Sequence, residues 1–245
     1  MVDETNKSMS WVERGDRLVN LFKWPAAIVS VAITPLLAWG MWLLLWRVLR
    51  APLNLVPFAV GGLLFVYIWR RWLGRGRLGR FAITLEHEST HALFAMLTGH
   101  QIVGFRATMG KGGQVQFLGR GNWLIMIAPY FFPTSALLMF LVAYLLPFQG
   151  FPWRSFLLGV ALAYHVVSTY RETHRDQTDI QQLGTTFCWM FLPAANLAVV
   201  GLLISYAHGG SAGLSHWWND LSLPAQQVWH TIAEWISDYR TSGSA

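Results

Sequence analysis

From Trp24 to Trp46 the chain runs for 23 residues without one charged side chain. About 20 apolar residues are what a helix needs to cross the roughly 30 Å hydrocarbon core of a bilayer. No water is available there to satisfy backbone N–H and C=O groups, so such a segment has to be helical. Tryptophans stand near both ends of the run, where an interfacial belt belongs, and Arg47 and Arg50 close it. Pro52 opens a second span that extends to about Trp69, and further apolar runs follow at 81–98, 123–146, 155–170 and 180–207. The composition agrees: 54% of residues are hydrophobic and 12% charged, against about 25% charged in ordinary soluble proteins. The pattern predicts an all-α polytopic membrane protein with about five to six transmembrane helices.

One segment departs from it. Residues 99–121 are glycine-rich, and Arg106–Met109 and Gln114–Phe117 flank Gly110-Lys111-Gly112-Gly113. That spacing predicts a small membrane-associated β-hairpin, whose strand edge could pair with an extended substrate segment. Pro129 and Pro133 should kink or break the early part of 123–146. Residues 1–23 read as a polar segment that could form a short amphipathic helix, and the tail 208–245 carries an apolar stripe at helical spacing. The chain therefore divides into 1–23, two spans with a basic loop (24–80), a membrane core (81–207) and an amphipathic tail (208–245).

The net charge of +6 comes mainly from arginine, with Arg70, Arg71, Arg75, Arg77 and Arg80 falling within eleven residues. Between two apolar runs this is a membrane-flanking cytoplasmic loop and not a nucleic-acid patch. Lipid is thus one expected partner, and nucleic acid is not. No cleavable signal peptide is evident in the first 23 residues. The single cysteine, Cys188, excludes an intramolecular disulfide and suits a buried small hydrophobe.

Inside the third apolar stretch stands His87-Glu88-Ser89-Thr90-His91. On a helix, residues four apart share a face, so His87 and His91 can offer imidazole nitrogens to one metal ion. Glu88, one position round, is placed to act as general base toward a water at that metal. Ionisable side chains cost about 2.5–3.5 kcal/mol each at the centre of a span. Glu86, His87, Glu88 and His91 in one segment therefore point to function. The motif helix starts at the cytoplasmic face, and His87 lies seven residues beyond Arg80, about 10 Å along a helix. Water could reach a metal at that depth.

Catalytic zinc takes three protein ligands and leaves a fourth position open. His165, Glu172, His174, Asp176 and Asp179 are downstream candidates, and composition and spacing do not rank them.

The run from His87 through Ala92-Leu93-Phe94-Ala95-Met96-Leu97-Thr98-Gly99 resembles the site-2 protease family of intramembrane zinc metalloproteases, in its compact form without a PDZ domain. The likeness covers roughly residues 81–207, including the hairpin and Ala128-Pro129. It implies one Zn2+ per chain held by His87, His91 and a downstream aspartate near a helix start. Asp179, 92 positions after His87 and directly before the last long apolar run, is the match. Asp176 is the alternative, or a cap for the helix that holds Asp179. Thr90 stands where the family often has glycine, and no N-P-x-D-G or L-D-G surrounds Asp179. One geometric tension follows: if 123–146 and 155–170 both cross fully, Asp179 arrives at the face opposite His87. Either the proline-broken 123–146 segment or the short 155–170 run fails to cross simply, or Asp179 is not the ligand. The shortness of 155–170 favours a failed crossing over a different ligand.

The resemblance implies a zinc-dependent intramembrane endopeptidase of the bacterial inner membrane, its site near the cytoplasmic side and its substrate a membrane-spanning helix. Two other readings compete. A catalytically inactive membrane scaffold from the same family would have no need of Glu88. A metal transporter would need acidic or histidine residues on several spans, and the first two contain none.

Overall fold

A computed structural model describes residues 3–109, 112–145, 152–174 and 177–242. The order of elements is α1 (Asp3–Leu21), α2 (Lys23–Arg50), a 3₁₀ turn, α3 (Val56–Ile68), a π-helical turn (Trp69–Leu73), α4 (Arg77–Leu97), β1 (Ile102–Ala107), β2 (Gly113–Phe117), α5 (Trp123–Ile127), a 3₁₀ turn (Ala128–Tyr130), α6 (Thr134–Leu145), α7 (Trp153–Glu172), α8 (Thr178–Leu183) and α9 (Thr185–Ser242). Among the described residues three helical stretches are long and apolar enough to cross a membrane, Trp11–Arg50, Pro52–Leu73 and Thr185–Trp235. The bent pair α5–α6 makes a fourth if it counts as one span. Helices α4 and α7, with 21 and 20 residues, have the length of a span but carry the polar groups of the site described below.

The tightest helix crossing joins α3 to α7. A Cβ on Gly61 would run into the Phe156 carbonyl, and a Cβ on Gly159 into the Phe58 carbonyl. Small residues let the two backbones meet where lipid offers no hydrophobic drive for association. Leu45, Leu63 and Leu64 stay exposed on the outer faces of α2 and α3, as lipid-facing residues should.

Helix α4 ends on a left-handed glycine: Gly99 has φ of 87°. Its N–H reaches the Met96 carbonyl at 3.0 Å and the His100 N–H reaches Ala95 at 2.8 Å, the paired bonds of a Schellman stop. The chain is thereby turned into β1, which pairs antiparallel with β2 in the register Phe105↔Val115 and Arg106↔Gln114. The expected hairpin is present, with its first strand starting four residues earlier than the sequence suggested. Gly110 and Lys111 of its turn lie outside the described residues.

Of the two escapes from the depth problem, the break in the proline-containing stretch is the one the structure takes. Helix α7 is a full 20 residues, so the run at 155–170 is not the short one. Instead α5 and α6 are bent by 69° around Pro129–Pro133. The α5 half stays beside the motif, where Tyr130 meets the His87 ring edge-on at 5.4 Å. From there α6 leaves, α7 comes back, and α8 brings Asp179 to the depth of His91.

In the last helix a glycine, not a proline, makes the break. Pro193 sits inside α9 without interrupting it, and the break falls at Gly210, whose backbone is non-helical (φ 60°, ψ −138°). Gly213 then packs on the Ser205 carbonyl, and Trp217 packs on Gly201 and Gly40. Asp220 takes both contacts from Arg47 Nη2, at 2.9 and 3.0 Å. Beneath the motif lies a core of Ala27, Trp123, Ile127, Tyr130, Ile180, Leu183, Phe187 and Cys188; Cys188 is buried, as its composition reading proposed.

Adding a methyl group at Gly159 should separate α3 from α7. Gly159→Ala is expected to cost about 3 kcal/mol, at the upper end for overpacking a tight contact, and to lower the thermal midpoint in detergent. Gly15→Ala on α1, with nothing within 4 Å of the new Cβ, should be neutral or slightly stabilising. Equal midpoints for the two variants would contradict the close crossing.

Candidate metal centre

Helix α4 presents His87, Glu88 and His91 on its inner side, all three buried. Helix α8, short and started by Gln177 in extended conformation, holds Asp179 in its first turn. His91 Nε2 lies 3.1 Å from His87 Nε2 and 3.1 Å from Asp179 Oδ2. The third side of the triangle, His87 Nε2 to Asp179 Oδ2, is 3.5 Å. Among the described residues this is the group of three or more metal-capable side chains whose ligand atoms converge.

The chemistry of these atoms fits a cation. His91 Nδ1 is 2.8 Å from the Ile125 carbonyl; a carbonyl can only accept, so that nitrogen carries the proton. In the neutral ring Nε2 is then a bare lone pair aimed at a second imidazole nitrogen and a carboxylate oxygen. Three such donors repel one another unless a proton or a metal ion lies between them. Tetrahedral zinc, with bonds of about 2.0–2.1 Å, spaces its ligand atoms about 3.3 Å apart. The observed sides of 3.1, 3.1 and 3.5 Å bracket that spacing.

The remaining candidates are dispersed. His165 is buried in α7 with Nδ1 3.5 Å from Thr169 Oγ1, outside the converging group. Glu172 accepts from Gln177 Nε2 at 2.7 Å and lines the cleft in front of the triangle without joining it. His174 is exposed in the loop before α8. Asp176 lies outside the described residues.

The cleft holds about 510 Å³ and is bordered by His87, Glu88, His91 and Asp179 on one side and by β2 on the other. Gly113, the first residue of β2, lies directly on Glu88: a Cβ there would collide with Glu88 Cγ and come within 2.7 Å of Oε1. Lacking a side chain at that point, the strand can rest on the carboxylate.

Sequence reasoning missed several residues around the triangle. Tyr130, fully buried, directs its hydroxyl toward Asp179 Oδ2 at 3.4 Å. Asn122 caps α5 by accepting the Leu124 and Ile125 N–H groups, each at 3.2 Å. Thr90 shares a 2.6 Å hydrogen bond with Thr134, and Glu86 accepts the Ser135 N–H at 3.1 Å, so α4 holds the start of α6 on its other flank. An N-cap signal at Asn122 ahead of an apolar run was readable. The backbone carbonyl of Ile125 was not, because any residue type supplies one.

A polytopic helical membrane protein with two histidines and an aspartate converging on a cleft is the class that fold and site define. Residues 58–192, just over half the chain, match the Peptidase M50B-like family, and the protein belongs to that family of site-2-protease-type membrane peptidases. Neither curated proteins nor solved structures gave a match.

Gly113→Ala should lift β2 off α4. Amide hydrogen exchange across 113–117 is expected to speed up at least about tenfold as the strand loses its seat. Unchanged exchange there would mean that the hairpin does not rest on Glu88.

Proposed function

We propose that the protein is a zinc-dependent intramembrane endopeptidase that cuts a transmembrane segment of another membrane protein. The observation that carries this reading is the triangle of His87 Nε2, His91 Nε2 and Asp179 Oδ2, with Glu88 beside it at the cleft. His87, His91 and Asp179 would hold one Zn2+. The ion, when bound, supplies a Lewis acid for the scissile carbonyl and for the attacking water.

The chain's own groups do the rest. Ile125 fixes the His91 ring through Nδ1, so that Nε2 stays bare. Glu88 takes a proton from the water as it attacks the scissile carbon, and passes that proton to the departing amine nitrogen as the C–N bond breaks. The peptide bond of a substrate helix is shielded by its own hydrogen bonds, so the helix must unwind locally before attack. The cleft is lined by Gly113, Gln114, Val115 and Phe117 of β2, and an unwound stretch can add to that strand by main-chain hydrogen bonding.

In this reading residues 81–207 are the catalytic core, 24–80 supply two flanking spans, and 1–23 and 208–245 are accessory. The arginine-rich loop at 70–80 orients the site toward the cytoplasm of a bacterial inner membrane.

Two preparations test it. Purified wild type supplied with zinc is expected to hold about one ion per chain, and Asp179→Ala to lose most of it. Glu88→Gln should keep the ion and the fold but abolish cleavage of a co-expressed transmembrane substrate. Zinc retained undiminished in Asp179→Ala would move the third ligand elsewhere, and full cleavage by Glu88→Gln would end the general-base role.

A further inference from the structure

Outside the region of the family match, one carboxylate is buried against the back of the site. Asp16 of α1 is 5% exposed. Its Oδ2 accepts from His100 Nε2 at 3.1 Å and from the Gly121 N–H at 3.1 Å, and its Oδ1 accepts from Asn122 Nδ2 at 2.8 Å. His100 is 3% and Asn122 2% exposed. Two further bonds tie α1 to the same turn: Asn20 Oδ1 accepts the Trp123 N–H at 3.0 Å, and the Val19 carbonyl accepts Trp123 Nε1 at 2.6 Å.

Asn122 uses its two ends differently. Its nitrogen is held by Asp16, while its oxygen caps Leu124 and Ile125. The turn so fixed includes Ile125, whose carbonyl, in the next peptide group, accepts His91 Nδ1–H at 2.8 Å. Asp16 is thus three hydrogen-bonded steps from His91 Nδ1, the ring nitrogen opposite the one that faces Asp179.

We propose that Asp16 is a positioning residue for His91, acting through Asn122, the first turn of α5 and the Ile125 carbonyl, so that the N-terminal helix completes the outer shell of the metal centre. The physical reason lies in the shortness of α5. Five residues cannot hold their own conformation, so the direction of the Ile125 carbonyl is set by the cap, and the cap by the carboxylate. Outer-shell partners of a ligating histidine fix its tautomer and ring orientation, and their loss typically weakens metal binding about 10–100-fold. A carboxylate suits the position because it accepts three hydrogen bonds without offering a competing donor.

The inference rests on the metal reading of the triangle for its affinity arm alone. Full-length protein labelled with ¹⁵N-histidine, stripped of metal in detergent, gives the ring-nitrogen signals of His91 (assigned with His91→Gln). In the wild type they should show Nδ1 protonated and Nε2 bare. In Asp16→Ala they should move toward the averaged values of two exchanging tautomers, and Co2+ titration should show affinity falling at least about tenfold. Asp220→Asn, which cuts the Arg47 tie between α2 and α9, should change neither readout. Asp16→Asn can still accept at one oxygen and should fall between; it decides the question on the same readouts if the alanine variant does not fold. A folded Asp16 variant with wild-type His91 signals and wild-type Co2+ affinity overturns the inference. Wild type that takes up no Co2+ defeats the metal reading, while the His91 signals still decide whether Asp16 sets the ring.

Discussion

His91 and Asp179 stand 88 residues apart in sequence and 3.1 Å apart in space, and the fold is arranged around keeping them there. The two side chains come from different helices, one long and one of six residues, and each is fixed by something other than its partner. His91 is gripped by the Ile125 carbonyl. Asp179 is carried by α8, which packs on α5 through Ile180 and Leu183 in the core beneath the motif. Lys23 Nζ closes the end of α8 by donating to the Leu183 carbonyl at 2.8 Å. The triangle is therefore pre-formed by packing and does not depend on attraction among its three members, which without a cation is weak or repulsive.

Polar groups in an apolar bundle have to be satisfied locally, and α4 shows how this chain manages it. One flank carries the triangle and Glu88; the other carries Glu86 and Thr90, which anchor α6 through Ser135 and Thr134. Farther along the helix the Ala82 carbonyl takes the Tyr164 hydroxyl of α7 at 2.6 Å. Glu86, Thr90 and His91 thus each hold a neighbouring element in place. The same bonds that satisfy them set the positions of α5, α6 and α7 around the cleft.

Breaks in regular structure serve the site as much as the helices do. Gly99 ends α4 and releases the hairpin; the bend at Pro129–Pro133 keeps α5 and Tyr130 at the depth of His87 while α6 departs. A straight helix over 123–145 would carry Tyr130 and Ile125 away from the motif and send the chain to the wrong face. The bare backbone of Gly113 allows a strand to lie on Glu88. Each break is made by a glycine or proline whose chemistry was visible in the sequence, although its consequence was not.

Much of the architecture was legible in the chain. Apolar runs flanked by arginine and tryptophan announced helices because a bilayer permits few other backbones, and His87, Glu88 and His91 announced a shared face because helical spacing is fixed over four residues. These are local relations, and sequence determines them alone. Asp179 was reached by likeness to a family, since spacing left five candidates open; what separates it from Glu172 and His165 is which of them the returning α7 and α8 carry to His91, a matter of packing. Asp16 and the Ile125 carbonyl were beyond reading for the same reason, and Asn122 was readable as a cap but not as the link between them. A hydrogen bond between residues 106 apart leaves no periodic trace, because it is decided by how helices cross and where they bend, and only the tertiary structure fixes that.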